Sequence, residues 1–562
     1  MPDRIRRWTL AALLAAAVLP YFIGLGDSSI WDANEAFYVE TPREMIERGD
    51  YLFPTFNYQP RLNKPVLSYW IVGAFYQVFG ISVGVQRLPI ALGALVMILT
   101  AGGLGWLAAS GTSGRAAPRT HALLWSMIGL AIAPRLLMLA RRVFIDVYIS
   151  MFMALTLLWF AAAERHPERR RLFLALMYAS VGLGMLTKGP VAAVVPGLVM
   201  AAYLLLHREL RRVTDMMIPA GVVIILVIVA PWYGALYARD GWTYIVSFFV
   251  GENFDRFASG VGVQVQRGPL FYLPVLFSDS FPWSLFLIPA FVAWLRERRL
   301  PPAEGDASGR VRTLLWLWIA VFVGFFSFSA GKQDLYIFPI VPAVCGLAGW
   351  AIARACQGLG VPSTSRTAAV IGALLLSAGA GLVYLATVAG ASYAIEGVAA
   401  IGIAGLVAGA LAIWFGLRQR IFAAGVALST GFVALSAIFV IWTLPSFEAY
   451  KPVPGFAATI RQRAAPDDVV ATYAQSMPSL VYYLRRHVDD LFDVGALVTH
   501  LTSGKPVFAV MSEGDLERLR PDLPGPLCVI DRRPTLDVRL KSVLAANALP
   551  QLVLVTNRCT SP

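Results

Sequence analysis

Residues 122–163 read ALLWSMIGLAIAPRLLMLARRVFIDVYISMFMALTLLWFAAA, two apolar runs that are joined by a turn carrying Arg141 and Arg142. A helix needs about 20 predominantly apolar residues to cross the hydrocarbon core of a bilayer, and each run has about that length. Most of the charged residues stand in or beside the turn, where two antiparallel helices leave the bilayer on the same side. The stretch therefore predicts a hairpin of membrane-spanning helices.

The rest of the chain repeats this pattern. Of its 562 residues, 57% are hydrophobic and only 14% are charged, which is more apolar material than the cores of a soluble protein require. Runs of about 18 or more apolar residues predict thirteen spans. They lie near residues 8–26, 84–109, 120–139, 143–163, 170–187, 189–206, 214–237, 270–295, 312–330, 334–353, 367–389, 395–416 and 421–443. The predicted fold class is a polytopic α-helical membrane protein, and the first apolar run is interpreted as an uncleaved span.

The basic residues indicate how the chain is oriented. The formal net charge of +13 does not indicate nucleic-acid binding, because the Lys and Arg residues form short clusters between apolar runs. Such clusters mark the cytoplasmic loops of bacterial membrane proteins. They lie at residues 4–7, 115–119, 164–171, 208–212, 296–299 and 418–420. The pattern predicts a bacterial inner-membrane protein with a cytoplasmic N-terminus and a periplasmic C-terminus.

Three segments are then expected outside the membrane on the periplasmic side. Segment 27–83 contains two amphipathic candidates, 35–48 and 66–80, that are expected to lie flat on the membrane surface. Segment 238–269 is a second outer loop between spans. The tail 444–562 alternates β-rich runs at 469–474, 506–512, 527–533 and 551–557 with a helical run at 513–520. The domain prediction is a transmembrane catalytic unit over 1–443 and a small α/β domain over 444–562.

Cys528 and Cys559 both fall in this tail, and the sequence leaves their state open. A disulfide is possible in the periplasm, and two unpaired buried thiols are an equal alternative. The five histidines have no ligand spacing, so a metal site built from histidine is not predicted, while a divalent metal held by other ligands stays open.

Charged residues at the predicted outer ends of the spans are the candidates for function. A single Lys or Arg at an interface is usually a headgroup anchor or part of a local ion pair. Cations from five separate outer segments, however, would form a basic cavity suited to an anionic lipid headgroup such as a polyprenyl phosphate. A carboxylate in such a position is costly unless it is paired. These residues are Asp32, Glu35, Arg61, Lys64, Arg135, Arg141, Arg142, Asp146, Lys188, Arg256, Lys332 and Asp334.

Several motifs resemble one family of membrane enzymes. They are WDANEAFYVETPREM (31–45), NKPVLSYW (63–70), the Asp146 turn, MLTKGP (185–190), APWYG (230–234), ENFDRF (252–257), SFPW (280–283) and SAGKQDLY (329–336). In this order they resemble the GT-C class of glycosyltransferases, in the branch that contains the protein O-mannosyltransferases and the 4-amino-4-deoxy-L-arabinose transferases that modify lipid A. The resemblance covers roughly residues 30–340, and the tail matches only in position.

The resemblance implies a set of site residues. It makes the first outer loop the source of the acidic catalytic motif, with Asp32, Asn34 and Glu35 as candidates, and it makes Asp146 the second acidic position. The aminoarabinose transferases usually have Asp-Glu where this chain has Asn34 and Glu35, which leaves the identity of the essential carboxylate open. Lys64, Arg256, Lys332 and Tyr336 become candidates for binding the donor phosphate. The wider substrate-binding set adds Tyr58, Arg61, Arg141, Arg142 and Lys188.

The function implied is transfer of a sugar, foremost aminoarabinose, from an undecaprenyl-phosphate donor to lipid A by a monomer. No cofactor besides this lipid-linked donor is implied as certain, and a divalent metal stays open. Transfer to protein or to another glycan is the alternative within the class. A lipid-linked sugar flippase is the rival from a different class, and it would need polar groups through the bilayer midplane. Here the charged residues of the spans cluster at one face, which favours the transferase over the flippase and over a structural scaffold.

Overall fold

The computed structural model describes residues 2–559 apart from 33, 110–118, 261–266, 299–306, 390–394, 524, 526 and 537–548, and it does not describe the side chains at 256, 388, 389 and 522. All thirteen predicted apolar runs contain helix. Within the described ranges, eight helices are long and apolar enough to cross a membrane: Val83–Ala108, Ile145–Arg165, Ile218–Asp240, Ser308–Ser327, Asp334–Ala355, Pro362–Thr387, Val398–Leu417 and Ile421–Tyr450.

Two bent helix pairs raise the number of candidate spans in the described part of the chain to ten. They are Arg119–Ala131 with Pro134–Ala140, bent by 62°, and Pro269–Asp279 with Trp283–Arg298, bent by 106°. The first bend follows from Pro134, which has no N–H to continue the preceding helix and starts the next one. The remaining three predicted spans correspond to the helices Asp3–Val18, Arg170–Lys188 and Val191–Leu206. The first and third have 16 residues each, short of a full crossing.

Close packing between spans relies on small residues, as membrane helices commonly do. The helices Pro362–Ala389 and Val398–Leu417 meet backbone to backbone, and a Cβ added to Gly402 would stand 2.7 Å from the carbonyl oxygen of Gly379. The antiparallel helices Ile145–Arg165 and Arg170–Lys188 are joined by ion pairs at both ends. Glu164 contacts Arg170 at 2.8 Å at one end, and Asp146 contacts Lys188 at 2.5 Å at the other.

Both predicted surface helices of the first outer segment are present, at Asn34–Arg48 and Leu67–Phe79. The first differs from the expectation, because most of its residues are buried, including Glu35, Glu40 and Glu44. It is enclosed between the second helix and the tail helix Pro478–Leu484 instead of lying open on a membrane surface. A short hairpin of β1 (Thr55–Phe56) and β2 (Gln59–Pro60) follows it.

The tail forms the expected α/β unit around a five-stranded sheet. Its strands are β3 (Val469–Tyr473), β4 (Asp489–Leu491), β5 (Val507–Ser512), β6 (Cys528–Pro534) and β7 (Gln551–Thr556), in the order β4-β3-β5-β7-β6. The pairs β4-β3 and β3-β5 are parallel, while β7 is antiparallel to β5 and β6. The four predicted strands and the helix Glu513–Leu519 are confirmed. Sequence patterns did not identify β4 or the helices Pro452–Arg463, Pro478–Leu484 and Val494–Thr502.

Alternating side chains give this sheet two apolar faces. One face, with Val470, Phe508 and Leu554, packs under the helices that begin at Pro452 and Pro478. The other packs under the helices Val494–Thr502 and Glu513–Leu519. Cys528 and Cys559 form a disulfide with a Cα–Cα distance of 5.5 Å, which selects one of the two alternatives left open by the sequence.

Candidate functional site

The centre of the candidate site is an ion pair between two antiparallel, packed helices. Asp146 lies in the first turn of the helix Ile145–Arg165, and Lys188 is the last residue of the helix Arg170–Lys188. The Lys188 Nζ atom is 2.5 Å from Oδ1 of Asp146, and 5.7 Å from the centre of the Tyr336 ring. Both side chains are mostly buried, at 12% and 21% exposure, so the pair is at the rim of the protein interior. Three sequence-predicted site residues therefore meet here.

The helical segment Ser247–Asp255 joins this centre to Lys64. Lys64 Nζ is 3.3 Å from Oε2 of Glu252. Gly189, which follows Lys188, has a φ of +90°, and a Cβ there would stand 2.8 Å from the Phe248 ring. The same Cβ would be 3.6 Å from Oδ1 of Asn253, the neighbour of Glu252. The two ion pairs therefore belong to adjacent segments.

The electrostatic environment of a buried tyrosine, Tyr38, includes these charges. Tyr38 is 6% exposed and stacks on Tyr69 with 5.8 Å between ring centres. Burial raises the pKa of Tyr38 well above its ordinary value, and the neighbouring Tyr69 adds to this. The charge of Arg61 lowers this pKa, while those of Asp146 and Glu252 raise it. Tyr38 therefore keeps its proton at physiological pH and presents a neutral hydroxyl among these three charged groups.

Lys332 is brought to the same outer face by a loop that packs on the second outer segment. The Ala330 N–H donates to the carbonyl of Phe257 at 2.9 Å. Lys332 is buried, and its Nζ donates to the Ser329 carbonyl at 2.6 Å. An ammonium has three donors, so this bond leaves capacity for a ligand. Arg256 begins the short helix Arg256–Ala258 next to Phe257, but its side chain lies outside the described residues.

A second charged group borders the Lys332 loop. Arg135, at the start of the helix Pro134–Ala140, forms an ion pair with Asp334, two residues after Lys332. The Nε atom of Arg135 is also 3.9 Å from Oδ1 of the buried Asp279. This arrangement ties the loop to two of the bent helices and holds it in position.

Glu35 has a different environment from Asp146. It is fully buried in a two-pronged ion pair with Arg87, at 2.7 Å (Nε–Oε1) and 3.0 Å (Nη2–Oε2). It also accepts a hydrogen bond from the backbone N–H of Trp31 at 2.9 Å. Arg87 in turn donates to the carbonyls of residues 25, 28 and 29. These contacts favour a positioning role for Glu35, because both of its oxygens are already engaged.

Four further predicted site residues lie in the segments around the Glu35–Arg87 pair: Asp32, Asn34, Arg141 and Arg142. Asp32 accepts a hydrogen bond from the Ser479 N–H of the tail at 2.8 Å. Asn34 is exposed at the first position of its helix. Arg141 donates to the carbonyls of residues 20, 23 and 24, which end the first helical segment. Arg142 lies 3.9 Å from the centre of the Trp31 ring.

The tail reaches the same junction through Glu448 and Lys451. Lys451 is 2.7 Å from Glu448, and its ammonium is 3.9 Å from the centre of the Trp31 ring. Glu448 accepts from the N–H of Ser29, and Lys451 donates to the carbonyl of that residue. We call the group Glu35, Arg87, Trp31, Glu448 and Lys451 the junction clamp, because it joins the first outer loop, a span and the start of the tail.

Tyr58 and Arg61 are the remaining predicted substrate contacts. The Tyr58 hydroxyl is 3.2 Å from the Arg43 guanidinium and donates to the Arg485 carbonyl at 3.1 Å, so it serves the contact with the tail. The Arg61 guanidinium stacks 3.9 Å from the centre of the Phe37 ring. Its positive charge also lowers the pKa of Tyr38.

Among the described residues, no group of three or more His, Cys, Asp or Glu side chains could hold a metal ion. Sequence reasoning missed Arg87, Tyr38 and Glu252 as participants. A charge inside an apolar run was an available signal for Arg87, because a charge there needs a partner. Tyr38 and Glu252 lie in motifs 31–45 and 252–257, from which other residues were predicted to be site residues.

The arrangement can bind and stabilise an anion at one face of the helix bundle. Three lysines, Lys64, Lys188 and Lys332, come from three segments and are each held by an oxygen acceptor. Preorganised cations of this kind stabilise negative charge that develops on a departing phosphate, with little reorganisation.

Residues 63–234 match the family described as Dolichyl-phosphate-mannose-protein mannosyltransferase. An undecaprenyl phosphate-alpha-4-amino-4-deoxy-L-arabinose arabinosyl transferase from Pseudomonas fluorescens is 30% identical over 357 residues, which are 62% of this chain and 58% of that protein. A relative of the same description from Pseudomonas paraeruginosa is 31% identical over 62% of this chain and 60% of its own length. The chain thus spans less than two thirds of the length of these curated relatives.

The likeness to solved structures extends over the whole chain. The crystal structure of ArnT from Cupriavidus metallidurans bound to undecaprenyl phosphate has a TM-score of 0.76 at 22% identity, covering 98% of this chain and 99% of that chain. The apo structure of the same protein has a TM-score of 0.74 at 22% identity, covering 98% and 97%. These values confirm the predicted fold, including the tail. The chain is a multi-pass membrane protein with a GT-C-like fold, and its residues 63–234 are similar to the mannosyltransferase family.

Proposed function

We propose that this protein is a glycosyltransferase that moves a sugar, foremost 4-amino-4-deoxy-L-arabinose, from undecaprenyl phosphate to lipid A at the periplasmic face of the inner membrane. The observation that carries the proposal is the meeting of Lys188, Asp146 and Tyr336 beside the Lys64–Glu252 pair. The relatives named as undecaprenyl-phosphate aminoarabinose transferases, and the ArnT structure with bound undecaprenyl phosphate, support the choice of donor.

The chemistry needs a cationic site at the donor phosphate. The bond between the anomeric carbon and the donor phosphate oxygen breaks, and its electron pair stays on the polyprenyl phosphate. An oxygen of the acceptor forms the new bond to the same carbon. Lys64, Lys188 and Lys332 stabilise the charge that grows on the departing phosphate, and Arg256 is a further candidate from the adjoining segment.

The acceptor decides what the carboxylates do. A phosphate of lipid A is already anionic and needs no general base, so Asp146 then acts by holding Lys188 in position. A hydroxyl acceptor would need Asp146 as a base. The closed contacts of Glu35 and the presence of Asn34 in the acidic motif both favour the first case.

The proposed orientation has the N-terminus in the cytoplasm and the tail in the periplasm. The disulfide between Cys528 and Cys559 supports it, because disulfides persist in oxidising compartments. A phosphatase reporter that is active only in the periplasm should be active when fused after residue 450 and inactive when fused near Arg298. The opposite pattern would reverse the orientation and remove the periplasmic site with it.

The function is tested with the full chain in nanodiscs. Purified protein is incubated with undecaprenyl-phosphate aminoarabinose and lipid A, and the lipids are measured by mass spectrometry. We expect lipid A that carries one added aminoarabinose, and at least about tenfold less of this product with Asp146→Asn at the same reaction time. Sugar on a peptide or glycan acceptor but not on lipid A would support the alternative acceptor. Movement of the donor between leaflets without transfer would support the flippase.

A further inference from the structure

A cavity lies at the contact between the first outer segment and the tail, among residues that the proposed reaction does not use. Its volume is about 360 Å³. It is bounded by the helix Asn34–Arg48, the turn after the helix Leu67–Phe79, and the tail helices Pro452–Arg463 and Pro478–Leu484. The lining residues are Arg43, Ile81, Arg461, Tyr482, Tyr483, Leu484 and Arg485.

The charges in this lining are all positive. Arg43 is already neutralised, with Glu40 at 2.6 Å and Glu47 at 2.9 Å. Arg461 and Arg485 are exposed, and neither pairs with a carboxylate among the described residues. Their charge is therefore available to an anion, and the planar donor array of a guanidinium matches phosphate oxygens well.

Hydrogen bonds hold the main chain of Arg485 and the neighbouring tyrosines in place. Arg485 has a φ of 54°, an unfavourable value for a residue with a Cβ, and its carbonyl accepts the hydrogen bond from Tyr58. The Tyr482 hydroxyl donates to Oε1 of Gln86, and the Tyr483 hydroxyl accepts from the N–H of Ile30. Burial raises the pKa of both tyrosines to about 12, so both stay neutral.

An apolar edge lies directly beside the cavity. Val78, Phe79 and Ile81, at the end of the second outer helix, are 72%, 61% and 37% exposed. Apolar side chains at this exposure are costly in water and are compatible with contact to acyl chains. A ligand with a phosphate and an acyl chain would satisfy the arginines and the apolar edge together.

We propose that this cavity binds the phosphate monoester headgroup of an anionic amphiphile, through Arg461 and Arg485, as a second anion site apart from the lysine cluster. The phosphate sits between the two guanidinium groups, and the chain lies along Val78, Phe79 and Ile81. If the proposed transferase function holds, this site retains a phosphorylated lipid acceptor beside the enzyme. The binding itself does not depend on that function.

The test counts bound molecules by native mass spectrometry of the full chain in detergent, with dodecyl phosphate as the probe. We expect two bound molecules on the wild type, one in the lysine cluster and one in the cavity. The double variant Arg461→Gln/Arg485→Gln should keep one, and Lys64→Gln/Lys188→Gln should lose the other. Arg463→Gln, an exposed arginine two residues along the same helix, is the control and should keep two.

The outcomes separate the two sites and the two sources of phosphate. Two bound molecules on the Arg461/Arg485 double variant would overturn the proposal, even if lipid A transfer is established. Loss of one molecule there, with no effect of the lysine substitutions, would support the cavity and contradict the donor site. Inorganic phosphate that displaces the probe from the cavity at equal concentration would overturn the amphiphile part. Unchanged thermal melting of the double variant confirms that loss of binding is not unfolding.

Discussion

Two carboxylate–cation pairs of the candidate site, Glu35–Arg87 and Asp146–Lys188, differ in how completely their hydrogen bonds are satisfied. In the Glu35–Arg87 pair the two side chains are 0% and 1% exposed, and every carboxylate oxygen has a partner. In the Asp146–Lys188 pair a single contact joins the groups, and Lys188 is 21% exposed. The first pair is closed and joins segments of the fold, whereas the second is open and can exchange partners with a ligand. A charged residue at this face is therefore not by itself evidence of a binding site. Whether all of its hydrogen-bonding atoms already have partners distinguishes a structural role from a binding role.

Removing one side of the closed pair should have the largest effect. Arg87→Ala should leave Glu35 buried without a partner, at a cost of about 3–5 kcal/mol in the free energy of unfolding. The expected result is little or no monodisperse protein after extraction, followed by fluorescence-detected size exclusion with a heating step. Glu35→Leu combined with Arg87→Met removes both charges and should recover much of the lost stability. Equal loss in the single and double variants would mean that the pair itself is not what Arg87 contributes.

Substitutions in the open group should weaken donor binding and leave the stability of the protein unchanged. Lys64→Gln removes a cation that we assign to the donor phosphate, and a hydrogen bond to a charged group is worth about 2 kcal/mol, or roughly 30-fold in affinity. We expect KM for the undecaprenyl-phosphate donor to rise by about that factor, with unchanged melting temperature. Lys505→Gln, an exposed lysine of the tail, is the control and should leave KM unaffected. An unchanged KM in Lys64→Gln would return that lysine to the status of an interface anchor.

Asp146→Asn tests what the charge of Asp146 contributes, because the amide keeps the shape of the side chain and loses its charge. Transfer should fall at least about tenfold, or about 1.4 kcal/mol in transition-state stabilisation, in single-turnover measurements. With a phosphate acceptor, the wild-type rate should depend little on pH between about 6 and 9, because no base has to be ionised. A rate that falls on the acid side of this range would instead assign Asp146 the role of general base. A wild-type rate in the variant would exclude both roles.

The fold could be predicted further than the site could. Apolar runs and the period of the tail strands depend on local sequence, which is why all thirteen runs are helical and the four predicted strands are confirmed. Which carboxylate meets which cation depends on packing between distant segments. Glu35 meets Arg87 across 52 residues, and Asp146 meets Lys188 across 42. The sequence named three of these four residues, but it could not indicate which pair is saturated.

The same limit explains why the burial of the first outer helix was missed. Its hydrophobic pattern is that of an amphipathic surface helix, and the sequence does not reveal that the tail helix Pro478–Leu484 packs against it. Glu44, for instance, is buried because Thr55 and the N–H of Tyr58 satisfy its carboxylate at 2.6 and 3.2 Å. Partners supplied by a short hairpin and by a remote domain do not appear in any local pattern.

The smallest expected effect concerns Lys451 of the junction clamp, whose contacts do not fully offset the cost of burying its charge. Burial lowers its pKa below the ordinary value of 10.5, and contact with Glu448 offsets this only in part. The folded protein therefore binds fewer protons at this site than the unfolded chain just below pH 10.5, so the contribution of Lys451 to the free energy of unfolding rises with pH there.

Lys451→Met has no such group, and the stability difference, wild type minus variant, should increase from neutral pH towards about 10.5. Melting temperatures measured in nanodiscs across this range give the difference. A difference that decreases with rising pH would mean that the Glu448 contact outweighs burial, and that the clamp at Lys451 is as saturated as it is at Arg87.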